Sequence, residues 1–237
     1  MPQSYFIWNN KDCRSMGIIM RGPAAIVRPE ERVQHVEIPG RSGDLTELEG
    51  ENIYNSYIQT VSFSVRGGYR VREVYKWLRG SGYVTFSGEP DRKQEARIIG
   101  AVTLNKVSRN LDNWAGNVQF YCQPLKQLLT DSPVQITSSG SAVQNSGDVE
   151  SRPRIKATAS GTSMVITAGG NSLAIIGLTS GQDYYIDSEI MEVYNSDRSA
   201  LLTKDSLGDF PTMQPGSNTI TGSGWSKLVI ERRERFL

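Results

Sequence analysis

Histidine is nearly absent from this chain, and cysteine is scarce. The 237 residues include one histidine, His35, and two cysteines, Cys13 and Cys122. Two cysteines do not make a disulfide framework, and no Cys or His pair has the spacing of zinc ligands. Free thiols formed in a reducing compartment are expected. The two would lie close together if the first and last strands of one domain pair. Charge of one sign is also missing. Lys and Arg number 26 against 25 Asp and Glu, a formal net charge of +1. That balance gives no support to binding that works by neutralising phosphates. Residues 1–130 hold 17 basic and 13 acidic groups, and residues 131–237 hold 9 and 12, a split that scatter explains.

Other absences narrow the reading further. No apolar run approaches the length of a membrane span. The opening Met1-Pro2-Gln3-Ser4 lacks the basic region and apolar core of a secretory signal, which points to folding in the cytoplasm. There is no Gly-Lys-Ser/Thr loop and no G-x-G-x-x-G after a strand. Gly40-Arg41-Ser42-Gly43 is not a nucleophile elbow. No cofactor is implied.

What the chain does have is β pattern. Its central stretch runs from Val33 to Val65. Val33 to Ile38 favours a strand, and Pro39-Gly40-Arg41-Ser42-Gly43 stops it with residues that permit a sharp reversal. Leu45 to Leu48 reads as the returning arm. After Gly50-Glu51-Asn52 a long β-rich run follows from Ile53. Val61, Phe63 and Val65 there alternate with Ser62 and Ser64, the period of a half-buried strand. Tyr5 to Trp8 is an opening strand, and Met16 to Met20 and Ala25 to Val27 are further apolar pieces.

From Tyr69 to Arg79 the period changes. Val71, Val74, Tyr75 and Leu78 fall at i, i+3, i+4 and i+7, which predicts an amphipathic helix of about three turns. Gly80 can supply a left-handed residue at its end. Tyr83–Phe86, Glu95–Leu104 and Asn117–Cys122 read as strands. The stretch from Leu128 to Arg152 is rich in Ser, Gly and Pro, reads as linker or loop, and holds the domain boundary near residue 130. Beyond it, short strands recur about every ten residues between turn signals, the pattern of an antiparallel sandwich. They are Arg154–Ala159, Met164–Thr167, Leu173–Ile176, Asp183–Ile186, Ile190–Tyr194, Asn218–Thr221 and Leu228–Glu231. The fold expected is therefore mainly β, with residues 1–130 a sandwich-like domain carrying one helix and residues 131–237 a second sandwich.

Chemical candidates are few. His35 sits in a strand and reads as a structural or surface histidine rather than as a general base. Asp183, Asp187, Glu189 and Glu192 lie close enough in sequence for two of them to flank a glycosidic bond. They are also what two strands joined by a turn show on their wet faces, and that reading is preferred. Asp205 and Asp209 lack the loop spacing of a calcium site. Tyr184, Tyr185, Tyr194 and Trp225 could stack on sugar rings, although core packing explains them better.

Several motifs taken in order resemble the distal tail (Dit) proteins of long-tailed phages, in the siphophage tail-component family. They are Trp8-Asn9-Asn10-Lys11-Asp12 with Met16-Gly17-Ile18, Ile38 to Leu45, and the Tyr69–Arg79 helix. They continue with Ile186-Asp187-Ser188-Glu189, Val193-Tyr194, Gly208-Asp209-Phe210-Pro211, Pro215 to Ile220 and Val229 to Arg233. The resemblance covers nearly the whole chain. It implies a non-enzymatic N-terminal domain that assembles as a hexameric ring at the end of the tail tube. The C-terminal domain would be a galectin-like sandwich on the outside. Partners would be its own copies, the tail tube protein, and tail-tip, tail-associated lysin or baseplate proteins. DNA would pass only as cargo, no membrane is involved, and the place is the virion tail tip after assembly in the host cytoplasm. A projecting hairpin tip suits a ring contact, which makes Pro39, Gly40, Arg41, Ser42 and Gly43 the candidate interface residues. A carbohydrate-binding module for host adsorption is the alternative.

Overall fold

A computed structural model describes residues 3–48, 50–199 and 201–237. The chain divides into two compact units, Met1–Leu129 with the terminal Leu237, and Thr130–Phe236.

The N-terminal unit contains strands β1 (Phe6–Trp8), β2 (Lys11–Asp12), β3 (Ile18–Met20), β4 (Val33–Val36), β5 (Leu45–Leu48) and β6 (Tyr57–Arg66). Helix α1 (Val71–Trp77) follows, then β7 (Ser81–Phe86), β8 (Arg92–Lys106) and β9 (Asn113–Leu128). The main sheet is antiparallel, in the order β2-β1-β7-β8-β9-β6-β3. Phe6 and Trp8 of β1, near one end of this order, share a core cluster with Ile18 and Met20 of β3 at the other end. The sheet therefore curls over itself.

Alternation drives this burial. In β6, Val61, Phe63 and Val65 point inward while Thr60 and Ser62 stay exposed. In β9, Val118, Phe120 and Cys122 do the same. Phe120 is the meeting point. Its ring centroid lies 5.5 Å from that of Phe6, 5.5 Å from that of Trp8 and 5.8 Å from that of Phe86. Strand β8 shifts register between Ile99 and Thr103, and Gly100 takes φ +67° at that bulge, a conformation that suits glycine.

The helix is shorter than its apolar stripe suggests. A 3-10 turn over Gly68–Arg70 leads into seven α-helical residues. Val74 and Leu78 are buried, whereas Tyr75 is 41% exposed and its hydroxyl accepts a hydrogen bond from the Leu104 N–H at 3.2 Å. Gly80 has φ +79°, two residues past the cap at Leu78.

The long strand needs a corrected start, and three readings left open take definite form. Met16 belongs to a 3-10 turn, Cys13–Met16, because Asp12 caps it by accepting from the Arg14 N–H at 2.8 Å. Ala25–Val27 forms no strand. The long strand starts at Tyr57 rather than Ile53; before it, Tyr54 makes only an isolated bridge to Glu31. The first and last strands of this unit do not pair. β1 lies between β2 and β7, and β9 between β8 and β6. Cys13 and Cys122 are both buried free thiols.

The C-terminal unit holds β10 (Val134–Ile136), β11 (Ser141–Asn145), β12 (Arg154–Ala159), β13 (Ser163–Ala168) and β14 (Asn171–Ile176). Then come β15 (Asp183–Asp187), β16 (Glu192–Asn195), β17 (Ser206–Gly208), β18 (Gly216–Ser223) and β19 (Trp225–Glu231). Two five-stranded sheets, β10-β19-β12-β15-β16 and β11-β18-β13-β14-β17, enclose one core. Ile155, Ala157, Ile186, Leu228 and Ile230 come from the first, and Met164, Ile166, Leu173, Ile175 and Ile220 from the second. The stretch read as loop between Leu128 and Arg152 instead contributes β10 and β11, whose Ile136 and Val143 join the core. Ile190 and Met191 lie in a turn, so β16 begins at Glu192.

Truncating Phe120 to Ala should destabilise the N-terminal unit by about 3–5 kcal/mol, the usual range for a buried aromatic. Urea unfolding followed by tryptophan fluorescence reads this. A loss under ~1 kcal/mol would show that the ring cluster does not hold the curl.

Candidate assembly surface

β4 and β5 form a separate two-stranded ribbon that is not part of the main sheet. The pairs are Val33–Leu48, Gln34–Glu47, His35–Thr46 and Val36–Leu45. At its base the Arg32 N–H donates to the Ile53 carbonyl at 2.8 Å and the Asn55 N–H to the Glu30 carbonyl at 2.8 Å. Opposite residues of an antiparallel pair share a face and successive ones alternate. One face therefore holds Val33 and Leu48, and the other holds Val36 and Leu45. Neither face is covered by its own unit, for only Val33 among these eight residues is even half-buried. Leu48 is 61% exposed.

Pro39, Gly40, Arg41, Ser42 and Gly43 sit together at the far end of this ribbon, and all five are exposed. The Arg41 N–H donates to the Ile38 carbonyl at 3.1 Å. Gly40 and Gly43 take φ of +83° and +82°. These two positive angles turn the chain around the tip, which explains the breaker residues there. His35 lies on the ribbon, exposed, opposite Thr46. This is the surface position among the two non-catalytic readings of that histidine.

Asp183, Asp187 and Glu189 of the C-terminal unit are engaged in ion pairs. Asp183 accepts from Lys156 Nζ at 2.8 Å and from Thr158 Oγ1 at 2.6 Å, and these bonds hold its carboxyl below the ordinary value. Asp187 receives both terminal nitrogens of Arg233, at 2.7 and 2.8 Å. Burial pushes the Asp187 carboxyl up, but the hydrogen bonds and charge of Arg233 leave it below the ordinary value. Glu189 takes Arg233 at 3.1 Å and Arg235 at 2.6 Å. Glu192 opposes Asp187 across β15 and β16, and has no ion pair among the described residues. Asp205 and Asp209 hold backbone positions, their N–H groups donating to the Leu202 and Ser172 carbonyls.

The aromatic candidates do not form an open platform. Tyr184 and Trp225 are in the core, and Tyr194 is buried. Tyr185 stacks on Tyr194 with centroids 5.5 Å apart, and the Arg198 guanidinium covers Tyr194 at 4.4 Å. One grouping escaped the sequence reading altogether: Arg14, far in the chain from Arg66 and Arg70, lines one open cleft with them and with Tyr69. No local spacing signals it.

A curled N-terminal sheet with one helix and a separate ribbon, followed by a two-sheet sandwich, is a fold shared with a solved phage distal tail protein. The particular structure it matches is the crystal structure of SPP1 Dit (gp 19.1), described as a paradigm of the hub adsorption apparatus in phages infecting Gram-positive bacteria. The likeness has a TM-score of 0.81 at 17% identity, and covers 100% of both chains. The phage p2 baseplate in its activated conformation with Sr gives a TM-score of 0.49 at 8% identity over 99% of each chain. No family model and no curated protein matches the sequence.

The Asp187–Arg233 pair gives a direct test of the ion-pair network. Asp187→Asn should destabilise the C-terminal unit by about 2–4 kcal/mol, because it breaks a pair whose carboxylate is buried. The native carboxyl holds its proton less tightly than the unfolded one. Its contribution is therefore complete above the ordinary value of 3.8 and is lost as pH falls through the lower native value. Thermal melts of both proteins across the acid range check this. An equal acid loss in the variant would remove Asp187 as its source.

Proposed function

We propose that this chain is a structural hub of a long-tailed phage. Six copies form a ring at the distal end of the tail tube. The ring joins the tube to tail-tip, tail-associated lysin or baseplate proteins and leaves a channel through which DNA passes. Residues 1–130 form the ring, and residues 131–237, a galectin-like sandwich, face outward. The chain works at the virion tail tip after assembly in the host cytoplasm, and its role is not enzymatic.

The observation that carries this reading is the full-length likeness to a solved phage hub protein, over both units in the same order. The ribbon supports it. A ring closes through a heterologous contact, in which one patch of a subunit meets a different patch of the next. An isolated two-stranded hairpin is marginal in water and needs something to pack against. A ribbon with exposed Val36, Leu45 and Leu48 is suited to such a contact, and its tip at Pro39–Gly43 is the leading edge.

Light scattering on the purified full chain, with negative-stain images of the same fraction, tests the reading. The expected mass is six times the 26.3 kDa chain, with a central hole in the particle. Replacing residues 34–47 by Asn-Gly should leave a monomer whose melting is unchanged. A wild-type chain that stays monomeric at every concentration tried would overturn the self-assembling ring.

A further inference from the structure

Charge in the N-terminal unit is segregated. Residues 30–51, the ribbon and its base, hold seven acidic and two basic side chains. The rest of residues 1–129 holds six acidic and fifteen basic. The near-neutral total hides a strongly acidic arm on a strongly basic body. Glu37, Asp44, Glu47 and Glu51 of the arm are all exposed, and none has an ion pair among the described residues. They stand beside the uncovered Val36, Leu45 and Leu48.

The body carries a matching surface. A cleft of about 520 Å³ opens between the chain around Gly17–Ile19 and the end of β6. Arg14, Arg66 and Arg70 line it, together with Tyr69 and Ile19, and no carboxylate does. Arg14 is already engaged by Asp12. Arg66 and Arg70 have no carboxylate partner among the described residues. Arg70 is nevertheless held in place. Its Nε donates to the Tyr69 hydroxyl at 2.8 Å, and its guanidinium lies against the bare backbone of Gly17, where a Cβ would overlap it. Gly17 has φ +70°, so it serves both the turn and this close approach. Tyr69 is 73% exposed. The cleft thus presents a fixed guanidinium fork, a second arginine and an apolar ring to solvent. Such forks match carboxylates in geometry as well as in charge.

We infer that the acidic arm of one copy docks in the Arg66–Arg70 cleft of the next copy. The carboxylates of Asp44 and Glu47 meet the guanidiniums of Arg66 and Arg70. Val36 and Leu45, on the same face as Glu47, cover Tyr69 and Ile19. The inference rests on the ring reading above and gives that ring its donor and its acceptor. Arm and cleft are different patches of one chain, so the contact is heterologous, as a closed ring requires. The occupant is a protein carboxylate strand rather than a phosphate chain, because the same chain supplies unmatched carboxylates interleaved with unmatched apolar side chains.

A charge-swap mixture of full chains tests it. One variant carries Asp44→Lys and Glu47→Lys in the arm, the other Arg66→Glu and Arg70→Glu in the cleft. Each alone places like charges face to face and should raise the concentration at half-assembly more than ~10-fold. Mixed in equal amounts, they pair reversed arm with reversed cleft and native arm with native cleft, and should regain the wild-type particle. Melting curves check the folding of each. If the double cleft variant does not melt cooperatively, Arg66→Glu with Glu47→Lys gives the same test at exposed positions. A wild-type ring with variants that assemble unchanged would overturn this docking and leave the ring reading standing. Variants that fail alone and also fail when mixed would overturn the pairing too. A wild type that never assembles would remove the ring itself and this contact with it.

Discussion

The N-terminal unit depends on β9. This strand is hydrogen-bonded to β6 on one side and to β8 on the other over most of its length. The double ladder fixes the register, and the register fixes which side chains point inward. Phe120 is the central one. Its contacts with Phe6, Trp8 and Phe86 draw β1 and β7 over the same core that β6 fills from the other side. Aromatic pairs of this kind add about 0.5–1.5 kcal/mol each beyond the area they bury. These rings share the core with Phe63, the helix residue Val74 and Leu78 at the helix cap. The ribbon of β4 and β5 contributes no residue to this core.

The C-terminal unit solves its packing differently, and this bears on chemistry. Two sheets bury a core of aliphatic residues, and the ionic groups on their outer faces pair across strands. Lys156–Asp183 and Arg154–Glu231 join neighbouring strands, and Arg233–Asp187 and Arg235–Glu189 fasten the chain after β19 to the β15–β16 turn. A general acid for glycoside cleavage needs a carboxyl raised toward neutrality. The pairs lower Asp183 and Asp187 instead. The clustering that makes these acids conspicuous in sequence is therefore the signature of a strand-and-turn ion network.

Sequence pattern carried the strands whose two faces differ. Val61, Phe63 and Val65 of β6 and Ile155, Ala157 and Ala159 of β12 alternate with polar residues because one side is wet, and each is found buried. It failed where strands are short and contain loop-forming residues. β11, Ser141–Asn145, buries only Val143 and Asn145, and the Asn145 side-chain amide donates to the Val149 and Met213 carbonyls. A Ser- and Asn-rich strand of that kind looks like a linker until its partner strand is known. The helix was visible through Val71, Val74 and Leu78, yet its length was not, since a 3-10 turn and an early cap depend on local hydrogen bonds. The ribbon tip was visible from its prolines and glycines. That the ribbon stands apart from the sheet was not, because its residues have the same β preference as those of β6. The Arg66–Arg70 cleft was beyond reach, since Gly17, its floor, meets Arg70 only through the fold.

A chain that satisfied all its surface within one copy would have no reason to assemble. Here the body is complete and the arm is not. Its strands are held by their own ladder and by the two hydrogen bonds at the base, with an apolar pair open on each face. Free, such a ribbon sits at the low end of local stability. In the proposed docking it removes Val36 and Leu45 from water and finds cations for its carboxylates in one step. The gain comes only on contact, because among the described residues Glu37, Asp44, Glu47 and Glu51 make no ion pair within their own copy. In the proposed ring, ordering of the arm and closure would be a single event. Charge segregation within a near-neutral chain is what allows this: each copy has a donor and an acceptor of opposite sign, and no net field opposes the approach of the next.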